Sequence, residues 1–195
     1  MNRFDGRTVV VTGASGGIGA ACARRLFSEG ANVAALDLSQ TGADKIALEL
    51  GGRPRVLPLA IDAVDPAGIE AALDAVKRHF GRLDGMIHCA RPDAFDNGLV
   101  VRVFNRALRG ESASCGVVTV APTAGIAVRG KRTPYRVFSS NGSTGACRAT
   151  PPARRTDEPD ELASVAVDLL AGEEQWATAV TPPIRKGWMT AFAML

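Results

Sequence analysis

The stretch Thr12-Gly13-Ala14-Ser15-Gly16-Gly17-Ile18-Gly19 constrains the fold more than any other part of the chain. It follows the continuous apolar run Thr8-Val9-Val10-Val11-Thr12, which has the character of a strand buried on both faces. It leads into Ile18 to Glu29, where Cys22, Ala23 and Leu26 share one helical face. A glycine-rich link between a buried strand and a helix suits one task in particular. Gly13 permits a tight turn, Gly17 lets the backbone approach a pyrophosphate, and Gly19 lets the helix pack closely on the strand. Backbone N–H groups and the helix N-terminus then face the negative charge, with Ser15, Gly16 and Ile18 joining the glycines as expected cofactor-binding residues.

The alternation continues beyond this unit. Asn32 to Leu38 reads as a strand, Ala43 to Leu50 as a helix stopping at Gly51-Gly52, and Arg55 to Ile61 as a third strand. Asp65 is an N-cap with Pro66 at the first helical position. The helix it starts has the apolar face Ile69, Ala72, Leu73, Val76 and Phe80, and Gly81 ends it. Leu83 to Ala90 is a fourth strand. Strands and helices alternating over short links imply parallel strands joined by right-handed crossovers. The expected fold class is therefore α/β, a doubly wound, Rossmann-like parallel sheet.

Regularity then fades. Leu99 to Arg109 reads as a helix and Gly116 to Ala121 as a strand. Residues 139–156 are rich in Ser, Gly, Pro and Arg and read as a linker or loop. Glu158 to Leu170 is helical, with Leu162, Val165, Ala166, Leu169 and Leu170 in register, and Gly172 closes it. The expectation is one domain over 1–195: a well-formed nucleotide-binding half over 1–91, an irregular basic segment over 92–157, and a helix with a closing strand over 158–195. The sheet is expected to be incomplete in its C-terminal half.

Composition narrows the class. Of 195 residues, 46% are hydrophobic and 22% charged, which suits a folded domain. No apolar run approaches the roughly 18 residues of a membrane helix. Met1 to Gly6 leads straight into the first strand, so neither a signal peptide nor a membrane partner is expected, and the chain reads as soluble and cytoplasmic. Cys22, Cys89, Cys115 and Cys147 are widely spaced and read as reduced packing residues, without zinc or a disulfide framework. With His79 and His88 the only histidines, no metal cluster is expected. The net charge of +3 is uneven: Gly98 to Thr156 holds ten Lys/Arg and one acidic residue, while the remainder is acidic.

Asp37 lies eighteen residues after Gly19, at the end of the second strand. A carboxylate there accepts hydrogen bonds from the ribose hydroxyls of an adenosine and repels a 2′-phosphate, which favours NAD over NADP. Two alternatives stay open: Asp37 as a plain strand-end residue, and a similar loop holding S-adenosylmethionine in a methyltransferase.

Together these residues resemble the short-chain dehydrogenase/reductase family. Thr12 to Gly19 matches its Thr-Gly-x-x-x-Gly-x-Gly motif. Asp62, with Ala63 after it, matches the family aspartate at the adenine ring. Ile87-His88-Cys89-Ala90-Arg91 lies where the family has Asn-Asn-Ala-Gly, so the resemblance sets His88 and Ala90 beside the cofactor, with Arg91 in place of a glycine. It runs from Arg7 to about Ala90. In the later half the family pattern is Ser, then Tyr thirteen residues on, then Lys four beyond. Tyr135, the only tyrosine, falls at the place of the family's general acid/base. Pro122 stands at the serine position and Ser139 at the lysine position. Thr123 is the nearest hydroxyl to the lost serine, Lys131 and Arg136 are the nearest cations, and Asn105 is the counterpart of the family's proton-relay asparagine. Such proteins run to about 250 residues as one domain. This chain is shortened between Arg91 and Gly116 and again between Tyr135 and Glu158. Pro159 to Gly172 resembles the family's late helix and Trp176 to Trp188 its closing strand, with Arg185-Lys186-Gly187 where the family has Asp-Gly-Gly.

Three functions follow as competing expectations. The first is an NAD-dependent oxidoreductase acting on an alcohol or ketone, with Tyr135 as acid/base and Thr123 in the role of the serine. The second is a degenerate dinucleotide-binding protein without redox catalysis. The third is weak nucleic-acid binding through the basic segment, which has few aromatic residues for stacking and no nucleic-acid motif. Association with copies of itself also stays open.

Overall fold

Thr8–Thr12, the first strand (β1), is buried along its whole length in the computed structural model, with Val9, Val10 and Val11 at zero exposure. The structure describes residues 2–52, 54–63, 65–89, 102–104, 106–107, 116–122, 135–141, 147–149 and 159–171. Burial on both faces explains why β1 carries an unbroken apolar run rather than an alternating one.

The chain leaves β1 through α1 (Gly17–Ser28) to β2 (Asn32–Asp37), then through α2 (Gln40–Glu49) to β3 (Val56–Ala60). It returns through α3 (Pro66–Phe80) to β4 (Gly85–Cys89), which pairs with the other side of β1. β5 (Gly116–Pro122) adds in parallel to β4. The strand order is β3-β2-β1-β4-β5-β6-β7, and its first five members are parallel. The direction of winding reverses between β1 and β4, and a crevice opens at the carboxyl ends of those strands.

The helices divide between the two faces. Val9, Val11, Val33, Ala35, Ile87, Val118 and Val120 pack against α1, α2 and α4 (Pro159–Ala171). Val10, Ala34, Leu36, Met86 and Val117 pack against α3 and against Val103 and Phe104. Residues 102–104 and 106–107 are helical, within the helix expected over Leu99–Arg109. Helix starts follow local chemistry. The Asp65 carboxylate accepts the Ala67 N–H at 3.1 Å to cap α3, and the Ser39 hydroxyl accepts the Gly42 N–H at 3.3 Å to cap α2.

One expectation needs correction. Residues 139–156 were expected to form a linker, yet 139–141 complete β6 (Tyr135–Asn141) and 147–149 form β7 (Cys147–Ala149). Both are antiparallel to their neighbours, so the doubly wound parallel sheet ends in an antiparallel pair. The misreading has a physical source. Asn141-Gly142 is a strong hairpin dipeptide, and Tyr135, Val137 and Phe138 are good strand residues. Their neighbours Ser, Gly and Thr concealed both signals. The closing strand expected over 176–188 and most of the basic segment lie outside the described residues.

α4 is held to the front of the chain by charge as well as packing. The Arg3 guanidinium donates to Glu29 Oε2 at 2.6 Å and to Asp168 Oδ1 at 2.9 Å, joining the N-terminal segment, α1 and α4.

Candidate functional site

Gly13 turns the chain out of β1 with φ of 64°, a left-handed conformation that costs glycine nothing. The loop then folds back on itself. Ala14 N–H donates to Leu36 O at 3.1 Å, and Gly16 N–H donates to Gly13 O at 3.0 Å. Gly19 is buried against this turn, and a Cβ there would collide with the Gly13 carbonyl oxygen and carbon. Gly19 therefore sets the close approach of helix to strand, as expected. Ser15, Gly16 and Gly17 are exposed at the crevice and Ile18 is half-buried.

The start of α1 differs from that of its neighbours. Its N-cap, Gly16, offers no side-chain hydrogen bond, although, as in α2 and α3, its first turn holds no acidic residue. A helix N-terminus has several N–H groups without intrahelical partners and a partial positive charge. In α2 and α3, Ser39 and Asp65 take up part of that demand. In α1 it is left for something outside the helix, at the point where the sheet's winding reverses.

Asp37 ends β2 beside this loop. Its Oδ2 accepts both the Ser15 N–H at 2.9 Å and the Ser15 hydroxyl at 2.7 Å, and its Oδ1 accepts the Ser39 N–H at 3.2 Å. Partial burial is the largest single influence on this carboxyl and pushes its pKa up. The hydrogen bonds from Ser15, Ser39 and Leu38 together outweigh it and hold the pKa below the ordinary aspartate value. Asp37 is an anion positioned and oriented before any ligand arrives.

Sequence reasoning passed over Gly42, whose absent side chain makes room for this arrangement. A Cβ on Gly42 would stand 2.8 Å from Ser15 Oγ and 2.9 Å from Ser15 Cβ. Its signal was available: a glycine inside a helix costs about 1 kcal/mol relative to alanine and calls for a packing reason.

The remaining residues fall at different depths. Asp62 is exposed just past the end of β3, and Ala63 is half-buried next to it. This is the same sheet end as Asp37, since Asp37 pairs with Ala60 and its carbonyl accepts the Ile61 N–H at 2.8 Å. His88 is buried in β4, with Nδ1 2.7 Å from Thr12 Oγ1, so it meets the glycine loop through Thr12. Ala90, Asn105 and Thr123 lie outside the described residues. Tyr135 opens β6, and its backbone pairs with Pro122 at the carboxyl end of β5. Ser139 lies in the same strand, opposite Val118. In a strand, positions four apart stand about 13 Å apart, whereas one helical turn spans about 5.4 Å. Among the described residues no three His, Cys, Asp or Glu side chains gather into a metal-sized cluster, and no helix is long and apolar enough to cross a membrane.

The chain is similar to known proteins. A family model described as short chain dehydrogenase matches residues 7–97. D-threitol dehydrogenase of Mycolicibacterium smegmatis is 45% identical over 89 residues, 45% of this chain and 34% of that protein. Meso-2,3-butanediol dehydrogenase of Serratia marcescens is 38% identical over 88 residues, 45% of this chain and 35% of that protein. The matched stretch thus spans about a third of the length of these relatives. A solved short-chain dehydrogenase/reductase from Brucella melitensis, described as glucose/ribitol dehydrogenase, is similar with a TM-score of 0.54 and 28% identity. That similarity covers 60% of this chain and 57% of the other.

Proposed function

We propose that the chain is a member of the short-chain dehydrogenase/reductase family, which its residues 7–97 match, and that it binds NAD and transfers hydride between NAD(H) and an alcohol or ketone. The observation that carries this reading is the bare N-terminus of α1 at the switch point, with the anionic Asp37 beside it. The N–H groups of Gly17 and Ile18 at the start of α1 would hold the pyrophosphate, the Gly16 N–H being given to the Gly13 carbonyl. Asp37 accepts from the adenosine ribose, with the Ser15 hydroxyl turning between carboxylate and ribose. A 2′-phosphate would bring further negative charge against Asp37, which makes NAD the cofactor rather than NADP. Asp62 and Ala63 border the adenine, Ala90, which follows β4 in the sequence, borders the cofactor, and His88 acts by holding Thr12.

When bound, the nicotinamide supplies or takes up the hydride. Tyr135 exchanges the proton on the substrate oxygen, Thr123 orients that oxygen, and Asn105 supports the proton relay. The relatives named for threitol and butanediol support an alcohol as substrate class. A cytoplasmic setting belongs to the same reading.

A second reading, dinucleotide binding without turnover, is favoured by one observation: Tyr135 opens a strand, and Pro122 and Ser139 stand where the family has its serine and lysine. Turnover separates the two. NAD-dependent oxidation of secondary alcohols, reduced at least about 100-fold in Tyr135→Phe, supports the oxidoreductase. NAD binding with no turnover across a panel of alcohols and ketones supports the binder.

A further inference from the structure

Ser15 is enclosed from two sides. On one side Asp37 Oδ2 accepts its N–H at 2.9 Å and its hydroxyl at 2.7 Å. On the other is Gly42, in the first turn of α2, whose own N–H donates to the Ser39 hydroxyl at 3.3 Å. A Cβ on Gly42 would stand 2.8 Å from Ser15 Oγ and 2.9 Å from Ser15 Cβ, but 3.5 Å from Asp37 Oδ1. The first two are overlaps and the third is an ordinary contact, so a side chain there would displace Ser15 and spare Asp37. Turning the hydroxyl away relieves only the first overlap, because Ser15 Cβ is fixed to the loop backbone. Conformation does not call for glycine here, since Gly42 is helical and lies outside the left-handed region. Alanine is the better helix former, so helix formation alone would favour it. Space for Ser15 is the demand that glycine meets.

We propose that Gly42 is a positioning residue for the adenosine ribose: by leaving room for Ser15 it lets the glycine loop lock onto the Asp37 carboxylate, and it acts on the cofactor through that pair alone. The effect on affinity rests on the NAD-binding reading, whereas the coupling of Gly42 to Asp37 through Ser15 does not. Two of the hydrogen bonds that keep Asp37 ionised come from Ser15. Displacing Ser15 therefore raises the Asp37 pKa toward its ordinary value. It also frees the carboxylate from the orientation that the ribose hydroxyls meet, so that binding must restore that order at a cost in affinity.

The test compares the parent chain, Gly42→Ala, Ser15→Gly and the double variant, each checked for folding by circular dichroism. Carboxyl NMR of the ligand-free chains follows the Asp37 pKa, and calorimetric titration follows NAD. Gly42→Ala should raise the Asp37 pKa and weaken NAD about tenfold. Ser15→Gly removes both atoms that a Gly42 Cβ would strike, so adding Gly42→Ala to it should change neither quantity further. An unchanged pKa in folded Gly42→Ala would overturn the proposal. So would a further loss on adding Gly42→Ala to Ser15→Gly, since Gly42 would then act by a route other than Ser15. If Gly42→Ala alone does not fold, the double variant still decides. With the clash gone and a better helix former in place, it should melt no lower than Ser15→Gly, and a lower melting temperature would overturn the proposal. A parent chain that binds no NAD overturns the binding reading, while the Asp37 pKa pattern still reads the coupling.

Discussion

At Asp37 burial pushes the carboxyl pKa up, while hydrogen bonds from Ser15, Ser39 and Leu38 pull it down and prevail. Removing one of those donors should be visible. In Ser15→Ala the hydroxyl is gone and the backbone N–H remains, so the Asp37 pKa, followed by carboxyl NMR, should rise toward the ordinary value of 3.8. An unchanged pKa would mean that the hydroxyl contributes nothing. The sign of the linkage follows. A depressed folded pKa gives stability that is full above the ordinary aspartate pKa and is lost as pH falls through the depressed value. The variant should therefore be less stable than the parent at neutral pH and converge with it in acid. The proposed reading also gives Asp37 the choice of cofactor. Asp37→Asn removes the charge that repels a 2′-phosphate and should shrink the preference for NAD over NADP about tenfold or more. An unaltered preference would place discrimination elsewhere. At this scale the sequence was informative about Gly13 and Gly19, whose turn and close packing follow from position along the chain, and about the place of Asp37 at the end of β2. It was silent on Gly42, because that role depends on a side chain from another element.

Among α1, α2 and α3, the N-terminus of α1 is set apart by the absence of a capping side-chain hydrogen bond. That feature favours ligand over helix, and the two demands can be separated. A carboxylate near a helix N-terminus stabilises it by about 0.3–1 kcal/mol. Gly17 has room for a side chain, since its Cβ would meet only Pro159 Cγ at 3.5 Å, an ordinary contact. Gly17→Asp should thus keep or slightly raise the melting temperature while abolishing dinucleotide binding. Undiminished binding would remove the α1 terminus from the site. Elements up to β4 were legible because period, caps and turn residues agree with one another there. Asp65-Pro66 before α3 and Gly81 after it are examples. β6 and β7 were not, because antiparallel edge strands with Ser-rich neighbours carry little periodicity, and their pairing to β5 is a long-range fact.

Across the whole molecule, the five parallel strands and the helices on both faces bring the carboxyl ends of β1, β2 and β4 to one crevice. The fold class could be read from strand and helix alternation alone. The ties that hold α4 to the first half could not, because the Arg3, Glu29 and Asp168 contacts join residues with no local relation in sequence. The catalytic set suffers most from this limit: Tyr135 matched by spacing, but spacing derived from a helix has a different meaning in a strand. Binding is therefore the claim on which the rest depends. The most direct measurement is calorimetric titration of the folded chain with NAD, NADH, NADP and NADPH. Saturable binding of NAD or NADH is expected, with the phosphorylated forms at least about tenfold weaker. A folded chain that binds none of the four, or prefers NADP or NADPH, would contradict it.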